Sequence, residues 1–290
     1  MPGTIVVGFD GSPASSAAVD WAVLRAQRLA CDVNLVWCMP DAWGPGTPRL
    51  AREAHETAVG ALDAERARIS SSLPPTAVHA TVKQGEVAEL LDELSVGAAM
   101  VVVGRDKPGG AHGEGFGAVV LPLVIRSACT VAVIPRTTKP GSGVVVGVDG
   151  GPESERALRV AAGEAAALRQ PLTIVHSTAG ARAAARGKGK DRSGVDLSSE
   201  SDRILVAAAT AVDASYPHLA VDRVLDTRKA AAEALAAAAE GAALLVVGSR
   251  GREAVKHMNP GAIGSLVLAR IDCPMVVTKG TVGDRLPGRR

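Results

Sequence analysis

The chain has 290 residues, 47% hydrophobic and 21% charged, a balance that excludes an intrinsically disordered protein. A net charge of +2 and only six aromatic residues (two Phe, three Trp, one Tyr) exclude a surface built for nucleic acid, which needs a dense basic face and stacking rings. The length leaves room for two domains of about 140 residues each.

In chain order, MPGTIVVGFDGS at the start has no charged segment leading into an apolar run and cleavage site, so no leader peptide is expected. IVVGF, VNLVW, AVHATV, MVVVG and VAVIP read as five strands of the first half; runs this apolar suit a sheet covered on both faces. Between them, Val19, Ala22, Val23, Ala26, Leu29 and Ala30 form one helical stripe, and Val87, Leu90, Leu91 and Leu94 another. RTTKPGSG (136–143) reads as a linker, and GARAAARGKGKDRSG (180–194) as a solvated loop.

The second half repeats the first. TIVVGFDGSP (4–13) recurs as GVVVGVDGGP (143–152), GAAMVVVG (97–104) as GAALLVVG (241–248), and RSACTVAVIP (126–135) as RIDCPMVVTK (270–279). The alternation of strands and helices predicts α/β architecture: two tandem doubly wound domains, at 1–136 and 143–280, each a five-stranded, mostly parallel sheet flanked by helices. The stretch AAAEALAAAAEGAALLVVG is interrupted by Glu233 and Glu240, so it reads as a helix running into a strand, not a membrane span. Cys31, Cys38, Cys129 and Cys273 have no metal-ligand or CxxC spacing and are expected as buried apolar residues in a reducing cytoplasm.

Candidate chemistry gathers at the carboxyl ends of strands, where doubly wound sheets bind ligands. Asp10 and Asp149 each follow the first strand of their half. Such a carboxylate can accept from an adenine or ribose, or serve as the turn residue of an Asp-Gly pair. Gly248 and Gly251 close the fourth strand of the second half, and Gly261 with Ala262 would open the next helix. Glycine admits phosphate oxygens to backbone N–H groups, and a helix start favours an anion. In the first half Gly104 is present, Lys107 replaces the second glycine, and Gly117 and Ala118 follow. No hydrolase, metalloprotease or P-loop motif occurs, so no catalytic residue is assigned.

VVGFDGSPAS, VVGVDGGPES, VVGSRG and the closing CPMVV resemble the universal stress protein family in its two-domain form, from about Thr4 to Lys279. The resemblance implies an adenine nucleotide alpha hydrolase-like fold and a nucleotide motif of two glycines two residues apart, nine residues, then Gly followed by Ser or Thr. Carried over, the second-half site is Asp149, Val175, Gly248, Ser249, Arg250, Gly251, Gly261, Ala262 and Ile263. A weaker first-half site is Asp10, Val36, Gly104, Arg105, Lys107, Gly117, Ala118 and Val119. The valines stand for a small apolar residue at the end of the second strand. Ala262 and Ala118 lack the motif's hydroxyl; one hydrogen bond to a charged group is worth about 1.5–3 kcal/mol, roughly 10- to 150-fold in affinity. The expectation is a cytoplasmic stress regulator that binds ATP weakly in its second half, Mg²⁺ accompanying the nucleotide. No metal site, nucleic acid or membrane partner is expected. A ligand-free interaction scaffold and a slow ATPase are the alternatives. The resemblance further implies pairing of the halves through their fifth strands as an intramolecular pseudo-dimer, with two chains able to associate as a homodimer.

Overall fold

The structure, a computed structural model, describes residues 3–39, 48–74, 77–105, 119–136, 140–179, 197–249, 267 and 271–280. By internal contacts the chain divides into two compact units, Met1–Thr137 with Lys279–Arg290, and Thr138–Thr278. The loop expected over 180–194 lies outside the described residues.

The first unit runs β1 (Thr4–Gly8), α1 (Pro13–Leu29), β2 (Asp32–Met39), α2 (Pro48–Ile69), β3 (Val78–Gln84), α3 (Val87–Ser95), β4 (Met100–Arg105), α4 (Val120–Arg126) and β5 (Thr130–Pro135). Its strands are parallel, in the order β3-β2-β1-β4-β5. The second unit runs β6 (Val144–Gly147), α5 (Pro152–Leu168), β7 (Leu172–Ser177), α6 (Leu197–Ser215), β8 (Val221–Asp226), α7 (Ala231–Ala238), β9 (Leu244–Gly248) and β10 (Met275–Thr278). It repeats the topology, all parallel, as β8-β7-β6-β9-β10. Two tandem doubly wound α/β units, each with a five-stranded parallel sheet flanked by helices as expected from the sequence, are therefore the architecture observed.

Successive strand residues face opposite sides of a sheet. Ile5, Val6 and Val7 are all nevertheless buried, as are Val144, Val145 and Val146, so helices cover both faces of the central strands. The edge strand β8 has no buried residue. Of the predicted α1 stripe, Val19, Ala22, Val23 and Ala26 are core. Ala30 is not: it ends the helix in the left-handed region, at φ 51°. In α3 the core face centres on Ala88, Leu91 and Ser95, one residue round from the predicted stripe. Strand β2 extends past the predicted VNLVW to Met39, because β3 pairs with it as far as Gln84.

Both first-strand turns lead into a helix with proline at its first position, where the missing N–H costs nothing and φ is already set. The starts differ. The Ser12 hydroxyl accepts the Ser15 N–H at 3.2 Å, capping α1, whereas Gly151 offers α5 no side chain. In α5 the first turn instead carries Glu153 and Glu155, which complement the helix dipole. Ser12→Ala is expected to lower first-unit stability by about 1 kcal/mol, and Ser12→Gly by only a few tenths. Urea unfolding followed by circular dichroism measures both.

Candidate functional site

In each unit the strand order reverses beside the first strand. The chain steps outward from β1 through β2 and β3, then crosses to β4; β6, β7, β8 and β9 repeat the path. Ligands of open parallel sheets occupy the crevice that such a reversal opens at the carboxyl edge. Register places the candidates there. Val7 pairs with Val102, and Asp10 and Gly104 lie three and two residues further along. Val146 pairs with Val246, and Asp149 and Gly248 repeat that spacing. Each aspartate therefore leaves the sheet within one residue of the level of its glycine.

The aspartates build turns. Asp10 Oδ1 accepts the Ser12 N–H at 2.9 Å, and Asp149 Oδ1 accepts the Gly151 N–H at the same distance. The intervening Gly11 and Gly150 have φ of 77° and 80°, a conformation glycine adopts without strain. Both carboxylates are exposed. Burial pushes the Asp10 carboxyl up, but hydrogen bonds from the Ser12 hydroxyl and N–H, the Ser15 hydroxyl and its own backbone outweigh it, leaving Asp10 below the usual aspartate value. It is a preformed, ionised acceptor.

Gly104 and Gly248 have a packing role that the sequence reading did not assign. A Cβ on Gly248 would lie 2.7 Å from the Glu153 carbonyl oxygen, in the first turn of α5. On Gly104 it would clash with the Ala14 carbonyl group and the Ser15 nitrogen, in the first turn of α1. The glycines thus let the helix start lie directly on the strand end. The chain beyond them is partly committed too. The Ser249 N–H donates to the Thr278 carbonyl at 3.0 Å, so any phosphate donors of this loop lie further along. Arg105, expected in the first-half loop, is instead the last residue of β4 and 4% exposed. Its guanidinium is packed inside the unit, which removes it from the loop surface.

Val36 and Val175 are buried, at 1% and 2% exposure. Their carbonyls accept the N–H groups of Phe9 and Val148, each at 2.9 Å, so what they offer a ligand is an apolar wall. Val36 stands three residues before the end of β2, not at its end. The residues that follow them were not in the expected site. Trp37 packs edge-on to Phe9 with ring centroids 6.0 Å apart and lies over Gly11. His176 turns Nδ1 to within 2.7 Å of the Val148 carbonyl oxygen. Their signal in the sequence is position alone, one residue past the valine in each copy.

Val119 sits half-buried just before α4. Lys107, Gly117, Ala118, Arg250, Gly251, Gly261, Ala262 and Ile263 lie outside the described residues. Cys31, Cys129 and Cys273 are buried and Cys38 half-buried, and none of the four forms a disulfide. Burial pushes the Cys38 and Cys129 thiols up to about 11, too high for a nucleophile at neutral pH. Among the described residues no three His, Cys, Asp or Glu are grouped to hold a metal ion, and no helix is long and apolar enough to cross a membrane.

Gly248→Ala is expected to destabilise the second unit by about 1–3 kcal/mol without nucleotide, because backbone must move; thermal unfolding reads it. Asp10 gives a pH signature. A carboxyl held below its unfolded value stabilises the fold above that value, and the contribution is lost as pH falls through the folded value. Asp10→Asn keeps an acceptor for Ser12 but should flatten the decline in stability below about pH 4, measured as urea midpoints across that range.

The sequence profile of the universal stress protein family matches residues 1–135 and again 143–279. Universal stress protein Rv1996 of Mycobacterium tuberculosis is 30% identical over 301 residues, covering 95% of this chain and 94% of that protein. Universal stress protein Rv2623 of the same organism is 28% identical over 295 residues, covering 95% and 96%. Among solved structures, a universal stress protein from Archaeoglobus fulgidus superposes with a TM-score of 0.72 at 17% identity over 97% of both chains. A profile matched twice, together with relatives similar from end to end, places the chain in the universal stress protein family, in its tandem form.

Proposed function

We propose that the protein is a nucleotide-responsive stress regulator whose second unit binds an adenine nucleotide, ATP foremost. The observation that carries this reading is the register of Asp149 and Gly248 at the strand-order reversal of the second unit. An ionisable acceptor stands within one residue of the level of the fourth strand's end, next to a loop whose sequence keeps Gly251 and Gly261. The first unit shares this framework, but Lys107 interrupts its loop sequence; the second unit is therefore the one expected to bind, at one nucleotide per chain.

Electrostatics favour ATP with its Mg²⁺ over the free nucleotide. Asp149 Oδ1 and Glu153 Oε2 lie 3.1 and 3.8 Å from one point, the Cβ position at Gly151. Two carboxylates this close repel a bare polyphosphate. Regulation would follow from the bound and empty states differing in their affinity for a partner.

Calorimetric titration with Mg-ATP tests the reading. Starting from a typical intact affinity of about 1 μM, loss of the motif hydroxyl predicts a Kd of about 10–150 μM. Asp149→Ala should weaken binding by about tenfold or more, and Gly261→Glu should abolish it by placing a like charge against phosphate. Unchanged binding in both variants would remove the proposed site.

A further inference from the structure

The His176 ring stands half-buried at the carboxyl edge of β7, beside the turn that carries Asp149. The Val148 N–H donates to the Val175 carbonyl at 2.9 Å, the last rung between β6 and β7. The Val148 carbonyl, one peptide before Asp149, lies 2.7 Å from His176 Nδ1. A carbonyl oxygen only accepts, so Nδ1 carries the hydrogen. In a neutral imidazole that leaves Nε2 as a lone-pair acceptor, on the side of the ring turned away from Val148. The fold thus fixes both the ring and its tautomer beside the turn that carries Asp149.

We infer that His176 is a base-recognising residue: Nε2 accepts a hydrogen bond from the exocyclic amine of a 6-aminopurine and disfavours a 6-oxopurine. The inference rests on the reading that the second unit binds a purine nucleotide, and it adds the chemistry by which one purine is chosen. An oxygen at position 6 would face the Nε2 lone pair with no hydrogen between them, leaving two acceptors unpaired. Sites built around a hydrogen bond reject the analogue that cannot make it more strongly than apolar pockets reject a change in size. The first unit has no equivalent. Trp37 occupies the matching place, one residue past Val36, whose carbonyl accepts from Phe9 as that of Val175 accepts from Val148. An indole N–H only donates, so the selectivity belongs to the second unit.

Two variants and one spectrum separate recognition from simple support of the turn. His176→Asn keeps a donor near the place of Nδ1 and lacks Nε2. Titrated with Mg-ATP and Mg-ITP, the wild type should prefer ATP by about tenfold. His176→Asn should bring that ratio to within about twofold by weakening ATP and sparing ITP. The same ATP/ITP ratio in both proteins overturns the inference; if ATP binding is still lost in Asp149→Ala, the nucleotide site itself stands. No Asp149-dependent binding of either nucleotide overturns both. Should His176→Asn fail to fold, ¹⁵N-histidine-labelled wild type decides: the His176 Nε2 resonance should move upfield with Mg-ATP and stay with Mg-ITP, and an Nε2 resonance unmoved by saturating Mg-ATP overturns the inference.

Discussion

In each unit a strand end and a helix start meet with no room for a side chain between them. At Gly104 and Gly248 the first turn of α1 or α5 lies where any side chain would have to be. A Cβ at either site would meet carbonyl carbon and oxygen, which cannot rotate away as a flexible side chain can, so the cost would fall on the position of the whole helix. That contact fixes where the first helix begins relative to the fourth strand. It thereby fixes the turn carrying Asp10 or Asp149 over the reversal in strand order. The space left by the missing Cβ is filled by the helix backbone, so these two glycines serve packing, and the approach of an anion falls to the residues beyond them. Affinity lost in an alanine variant would therefore say nothing about ligand contact until stability had been measured separately.

The framework is duplicated faithfully and its rim is not. Central strands buried on both faces tolerate little change beyond exchange among valine, isoleucine and leucine, and both copies keep that character in β1 and β6. The carboxyl edge has no such restraint. A capping serine in one copy is glycine in the other. Trp37 covers Gly11, whereas Ile204 of α6 approaches Gly150. Buried Arg105 answers to Ser249, two residues before Gly251. Divergence at the edge is what two sites with different ligand requirements on a shared scaffold would produce, since function resides in the site and not in the fold.

The fold was legible because its signals are local and redundant. Apolar runs of strand length, helical stripes between them and prolines after Asp-Gly turns each point to the same architecture, twice over. What the sequence obscured depends on partners distant along the chain. Cys38 and Met39 join β2 only because β3 reaches that far. Ala30 looks like the end of a stripe, yet it adopts the left-handed conformation that terminates α1. Arg105 reads as a loop cation beside a glycine, but pairing with Pro135 draws it into β4. At the candidate site, the aspartates and glycines stood out by spacing. The packing duty of the glycines and the tautomer of His176 could not, since both are set by atoms that the fold brings together.

Asp149 joins these levels. Its Oδ1 is engaged by the Gly151 N–H, so the carboxylate is oriented before any ligand arrives, and binding need not bear the entropy of ordering it. Removing the whole side chain would release the turn and the acceptor at once. Asn at this position would keep the turn's acceptor and give up the charge, separating the two roles within one residue. In the neighbouring strand the His176 ring holds the Val148 carbonyl, immediately before the same turn. A carboxylate braced from its own backbone and an imidazole braced against the preceding peptide form a rigid pair of acceptors. Rigidity of that kind favours a ligand with donors at fixed positions, and a purine base carrying an amine is such a ligand.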